Sequence, residues 1–241
     1  PQRSMPFNRE SYVENTGKIF VDDLAWSEAS RHGLNPEEIF ALQYFSDIEN
    51  QTIRYLRMLL GMKIAFRKDV AEFLSVWNYE EYFHGHYLGK LLEACGHDQD
   101  AYRIEGVRRS AKWNERLEAA FVPILSSVFH EQFPAVYLSF GAIQEKTTWL
   151  GYEAPGSRTQ NPVLRTLCER IAKQERRHFA WYFNHAREEL LRSSFAQKLT
   201  RALMQFNWVP VGAGVKSRDE VVRLFSYLFP EEMGGAMADR V

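Results

Sequence analysis

WNYEEYFHGHYL, residues 77–88, places a carboxylate and an imidazole three positions apart, Glu81 and His84, within a stretch that otherwise reads as one buried helix. Phe73, Val76, Trp77, Leu88 and Leu92 recur at helical spacing. They predict a helix from about Lys68 to Cys95, with Gly96 as its stop. Side chains three apart on a helix project from nearly the same side, one turn up. Glu81 and His84 therefore offer one oxygen and one nitrogen to the same small volume. A single pair of this kind is close to what composition alone produces, so its meaning depends on partners elsewhere in the chain.

The chain has a second Glu-x-x-His, Glu175 and His178 in KQERRHFAWY, and no third. It falls on a predicted helix from Pro162 to Arg192, capped by Asn161 and striped by Leu164, Leu167, Ile171, Tyr182 and Ala186. Two further long helices are predicted. One runs from Pro36 to Lys63, with Asn35 as N-cap, Pro36 at the first helical position and an inward stripe of Leu42, Phe45, Ile48, Ile53, Leu56 and Leu60. The other covers about residues 127–152, with Leu138, Ala142, Trp149 and Tyr152 on one face. The first carries Glu49 and the second Glu145, both read as mid-helix, where an acid gains nothing from the helix dipole. One Glu from each of two helices and a Glu-x-x-His from each of the other two is the ligand set of di-iron and di-manganese carboxylate bundles. Four buried unpaired carboxylates would unfold a domain whose net stability is about 5–15 kcal/mol. A pair of cations reverses the sign of that term. Oxygen ligands with two imidazoles suit iron or manganese and differ from a thiolate zinc site.

The remaining composition narrows the field. A chain of 241 residues with 45% hydrophobic side chains is expected to form one domain, residues 1–241, around a sizeable core. The formal net charge of −1 argues against a general nucleic-acid binder. The two cysteines, Cys95 and Cys168, show no CxxC spacing and imply no disulfide framework, so a reducing, cytoplasmic setting is expected. The opening PQRSMPFNRE lacks the apolar core of a secretory leader, and no apolar run reaches the roughly 20 residues of a membrane helix. Strand signals are scarce. The expected fold is all-α: a ferritin-like four-helix bundle over about residues 36–192, with one long crossover through residues 96–126 and extra terminal helices. Residues 193–241 are expected to add accessory helices and a loop, NWVPVGAGVKSRDE, after which Ser217 caps a last short helix.

Three segments carry a resemblance to a known family. WNYEEYFHGHYLGKLL is similar to the W-x-x-E-E-x-x-H-G-x-x-L pattern of the soluble acyl-acyl carrier protein desaturases, within the ferritin-like di-iron superfamily. SFGAIQEKTTW resembles their S-F-Q-E-x-x-T segment, and IAKQERRHFAWY resembles I-A-x-[DE]-E-x-R-H. With the helix around Glu49, the resemblance covers about residues 36–192.

The resemblance implies metal ligation by Glu49, Glu81, His84, Glu145, Glu175 and His178. The ions would be two irons, with manganese as the other candidate. It implies an oxidation of an unactivated C–H bond in an acyl substrate, possibly on an acyl carrier protein, an electron donor such as ferredoxin, and a homodimer. Thr148, one turn after Glu145, matches a threonine thought to assist oxygen activation; the competing reading is a hydroxyl bonded back to its own helix. Trp149, Phe179 and Tyr182 are candidates for lining a substrate channel or for ordinary packing. Arg103, Arg108, Arg109, Lys112 and Arg116 would face an acidic carrier or simply solvent.

The chain departs from the family at two positions. Gln174 stands where many relatives have an acid, at the place expected to hold the outer nitrogen of a metal-bound histidine on another helix. Phe83 replaces a commonly basic or polar residue. A hydroxylase or N-oxygenase on the same scaffold, a ferritin-like ferroxidase, and a binding protein with a structural site are the alternatives.

Overall fold

The computed structural model describes residues 8–97, 128–207 and 209–229. Among them the chain is all-α, with no strand. Its helices are α1 (Arg9–Glu14), α2 (Trp26–His32), α3 (Pro36–Glu49), α4 (Thr52–Leu60), α5 (Lys68–Ala94), α6 (Phe133–Arg158), α7 (Pro162–Arg192), α8 (Ser194–Asn207) and α9 (Arg218–Leu228). A short 3-10 turn, Lys63–Phe66, precedes α5. No helix among the described residues is long and apolar enough to cross a membrane.

The helix starts follow local chemistry. Asn35 accepts from the amides of Glu37 and Glu38 while Glu38 reaches back to the Asn35 amide, a complete capping box. Asn161 caps α7 through the amides of Val163 and Leu164. Ser217 and Glu220 form a second capping box at α9. Gly96 follows α5 with φ of 81°, a conformation that suits a residue without a Cβ.

Two predicted helices differ in extent. The segment expected from Pro36 to Lys63 is broken after Glu49. Asn50 donates its side-chain amide to Ser46 O at 2.7 Å, the carbonyl its own backbone N–H also uses, and the Gln51 N–H turns to Ile48 O at 2.8 Å. Local side-chain bonding of this kind competes with the helix ladder. Beyond the break the predicted stripe is lost, and Ile53 and Leu60 are more than half exposed. Glu49 is thus the last residue of α3, where the expectation put it mid-helix. The helix expected at 127–152 spans Phe133–Arg158 instead; it continues through Pro155, whose carbonyl accepts the Thr159 N–H in the final turn. The expected crossover and its five basic residues lie outside the described residues, apart from Gly96 and His97.

The buried residues form two apolar layers. One contains Ala41–Phe45 of α3, Tyr87–Leu92 of α5, Tyr152 of α6 and Val163–Ala172 of α7. The other contains Val70–Trp77 of α5, Phe133–Ala142 of α6 and Trp181–Ala186 of α7. Its centre is aromatic: Phe73 stacks on Trp181 at 3.8 Å between ring centroids. On α5, α6 and α7 the chain passes from one layer to the other across a polar step, which holds Glu80, Glu81 and His84, then Glu145, then Gln174, Glu175 and His178. α5 and α6 cross it in one sense, and α7 in the other. α6 and α7 make the most extensive helix–helix contact, followed by α3 on α5, while α8 lies over α6 and α7.

After α8 the chain returns to α3. Tyr44 donates its hydroxyl to Val211 O at 2.8 Å, and Lys216 meets Asp47 at 2.6 Å. This tether holds the end of α3, two residues before Glu49.

Candidate metal centre

The polar step between the layers gathers all six predicted ligand residues. Glu49, Glu81, His84 and Glu175 form one group, and Glu81, Glu145, Glu175 and His178 form another. In each, the candidate ligand atoms lie within 4.8 Å of one another. Glu81 and Glu175 belong to both groups. None of the six is more than 7% exposed.

Both imidazoles point the same way. His84 Nδ1 lies 3.4 Å from Glu81 Oε2 and 3.0 Å from Glu175 Oε1. His178 Nδ1 lies 3.0 Å from Glu81 Oε1, 3.3 Å from Glu175 Oε2 and 3.6 Å from Glu145 Oε2. The Nε2 atoms face outward, each to one acceptor on the opposite helix. His84 Nε2 sits 2.8 Å from Gln174 Oε1, and His178 Nε2 sits 2.8 Å from Glu80 Oε2. The Gln174 amide is oriented by its nitrogen, which donates to Gly17 O at 2.6 Å and to Glu80 Oε1 at 3.0 Å. Its oxygen is therefore the atom facing His84. In both rings Nε2 carries a hydrogen, and a neutral ring of that tautomer would aim its Nδ1 lone pair at the carboxylates.

Each of the two outer glutamates accepts from an aromatic side chain outside the cluster. Tyr152 donates its hydroxyl to Glu49 Oε1, and Trp77 donates its indole N–H to Glu145 Oε1 at 3.0 Å. Glu80 accepts at Oε1 from the Gly17 amide, from Gln174 and from Arg177 Nη1, at 3.1, 3.0 and 3.3 Å.

Electrostatics strain this arrangement. Burial, then the charge of Glu81, pushes the Glu49 carboxyl well above its usual range. Burial does the same for Glu145, against the hydrogen bond of His178. Burial also opposes ionisation of Glu81 and Glu175, but bonds from the two histidines outweigh it and hold both low. The imidazoles are disfavoured as cations by burial, yet the surrounding carboxylates raise both well above the ordinary value. The protein alone thus satisfies the cluster by sharing protons. His84 Nδ1 and Glu175 Oε1, both buried, face each other at 3.0 Å.

The inward Nδ1 atoms and the all-oxygen-and-imidazole donor set fit a metal ion in each group. The class defined here is an all-α protein with a buried carboxylate–imidazole cluster able to hold metal ions. Compared with protein-family models, with curated proteins and with solved structures, the chain matches none.

Thr148 lies half-buried one turn past Glu145, and its hydroxyl donates to Gln144 O at 3.1 Å, a bond within its own helix. Tyr182 is buried and shares a hydrogen bond of 3.0 Å with Tyr137. Trp149 and Phe179 stand at half-buried positions under Lys146. Sequence reasoning placed Gln174 beside a histidine of another helix but missed its counterpart Glu80. The signal was there, since each stands directly before the glutamate of a Glu-x-x-His. Trp77 and Tyr152 were read only as apolar stripe, although both carry a polar tip.

Proposed function

We propose that the protein is an oxygen-dependent non-haem di-iron oxidoreductase resembling acyl-acyl carrier protein desaturases. The carrying observation is that two candidate ligand groups share Glu81 and Glu175, so that these residues with Glu49, His84, Glu145 and His178 would hold two ions side by side. Charge supports it: four glutamates balance two divalent cations, and Glu80 has Arg177. The sense of the chain through the polar step supports a ferritin-like bundle. α5 and α6 run alike, as do the two helices joined by the long connection in that fold.

When bound, two iron ions supply the electron transfer to oxygen and the capacity to oxidise an unactivated C–H bond. The chain supplies the rest. His84 and His178 are held by Gln174 and Glu80 with Nδ1 inward. Tyr152 and Trp77 fix one oxygen each of Glu49 and Glu145, which leaves the second oxygen of each to bind. The two apolar layers exclude water from above and below. Thr148, freed from Gln144 O, is the proposed hydroxyl donor beside Glu145. The substrate is an acyl chain, possibly presented on an acyl carrier protein, the electron donor a ferredoxin, the assembly a homodimer, and manganese the alternative metal.

Metal analysis of the purified protein tests this reading. Two irons per chain are expected, and their loss in Glu145→Ala. Incubation of acyl thioesters with oxygen and a reducing system should then yield a product two hydrogens lighter. A product one oxygen atom heavier would reassign the protein as a hydroxylase, and iron uptake without substrate turnover as a ferroxidase.

A further inference from the structure

The two halves of the centre repeat each other, Glu80-Glu81-x-Phe83-His84 on α5 and Gln174-Glu175-x-Arg177-His178 on α7. The outer hydrogen bonds cross between them: the residue before one glutamate holds the histidine of the other helix. The repeat is geometrically close, with both bonds at 2.8 Å, and chemically unequal. His178 donates to a carboxylate. His84 donates to an amide. The cation that accompanies Glu80 is Arg177, and the corresponding position on α5 is Phe83, packed among the rings of Tyr79, Tyr82 and Tyr87. The Gln174 side thus lacks both the charge and its counterion, which leaves it neutral without an unpaired group.

We infer that the two metal positions are inequivalent and fill in order: the position of Glu145 and His178 binds first and tightly, the position of Glu49 and His84 second and weakly. This rests on the two-metal reading above. A carboxylate accepting the outer N–H makes an imidazole a stronger donor at its other nitrogen and stabilises higher charge on the ion; a neutral amide orients the ring and adds little else. Outer partners of this kind change metal affinity by about 10- to 100-fold. The carboxylates reinforce the difference. Glu145 lies within a continuous helix, whereas Glu49 is the last residue of α3, at a break, and so is held less firmly.

Anaerobic titration of the metal-free protein with Mn(II), followed by calorimetry and electron paramagnetic resonance, tests the order. Two steps separated by about 10- to 100-fold are expected, the first giving the signal of an isolated ion and the second that of a coupled pair. His84→Ala should keep the tight step and lose the weak one, and His178→Ala should do the reverse. Gln174→Glu should draw the two steps together. Circular dichroism establishes that each variant is folded; if Gln174→Glu is not, the histidine pair decides. Two ions entering in a single step, or a tight step that survives His178→Ala and is lost in His84→Ala, overturns the inference and leaves the di-metal reading standing. Fewer than two ions at saturation overturns both.

Discussion

Tyr152 of α6 donates its hydroxyl to Oε1 of Glu49, the last residue of α3, and both groups are buried. The bond spans 103 residues of chain and fixes a carboxylate that no regular helix supports on its C-terminal side. Tyr152→Phe keeps the ring packed on Phe45, 4.7 Å away, and removes only the donor. Leaving a buried acceptor unmade costs about 1–3 kcal/mol. Urea unfolding of the metal-free variant should show a loss of that size, with weaker binding of the second metal ion. Unchanged stability would mean that Glu49 finds another donor.

Metal removal should destabilise the chain. Each ion held at 100 times its dissociation constant contributes about 2.7 kcal/mol. Calorimetric scans of protein treated with a chelator, then reconstituted with Fe(II) or Mn(II), should show the thermal midpoint fall and recover. A midpoint indifferent to metal would remove the reason for burying these acids.

The pH dependence of the metal-free protein follows from the same groups. Glu49 and Glu145 are raised above the carboxyl value of 4.5, so the folded state holds protons the unfolded state has released. Their contribution is lost as pH rises above 4.5. His84 and His178, raised above 6.5, act in the same direction above that pH. Glu81 and Glu175 are lowered, and their contribution disappears as pH falls below 4.5. The metal-free chain should therefore be most stable at mildly acid pH and weaken toward neutrality. Bound metal needs ionised carboxylates and neutral imidazoles, so its stabilisation should grow over the same range, with protons released on binding. Denaturation curves from pH 5 to 8, with and without Mn(II), would reveal the opposite slopes; parallel slopes would contradict the assignment.

Gly85 follows His84 and faces α3. A Cβ there would stand 3.1 Å from Glu49 Cβ and 3.2 Å from Asn50 Nδ2. Gly85→Ala gains about 1 kcal/mol of helix propensity and pushes on the turn that carries Glu49. The expected result is a protein of near-native thermal stability with weakened binding at the second metal position, read by Mn(II) titration. Unaltered binding would show that the break after Glu49 yields freely.

Lys216 and Asp47 form a buried ion pair, 7% and 0% exposed at the side chain. Removing one partner of such a pair costs about 3–5 kcal/mol. Lys216→Ala should lower stability by that order in urea melts and loosen the loop from α3; a loss below about 1 kcal/mol would show that water reaches Asp47.

Much of this was legible from residue order because the signals are local. Asn35, Asn161 and Ser217 cap helices through bonds to amides two or three positions on, and the bounds of α5 and α7 follow from stripe and stop. Glu81, His84, Glu175 and His178 were legible because Glu-x-x-His has a fixed helical projection, and Glu49 and Glu145 because each interrupts an apolar stripe. The break at Asn50 was not, since the stripe of Ile53, Leu56 and Leu60 fits an unbroken helix and gives no sign of the Asn50 side-chain bond to Ser46 O. Nor were the donors to Glu49 and Glu145. Tyr152 and Trp77 satisfy an apolar pattern with their rings, and only three-dimensional neighbours reveal what their polar tips do. Glu80 was as legible as Gln174, since each directly precedes the glutamate of a Glu-x-x-His and meets a histidine of the other helix.

The polar step is sealed by hydrocarbon on both sides, and its acids are drawn from four rods that are distant in sequence. An ion seated there would staple those rods together. Its exchange would then be coupled to local opening of the helices that carry the acids. A chelator should therefore strip the centre faster under mild denaturing conditions that loosen those helices than under conditions that merely weaken the ligands.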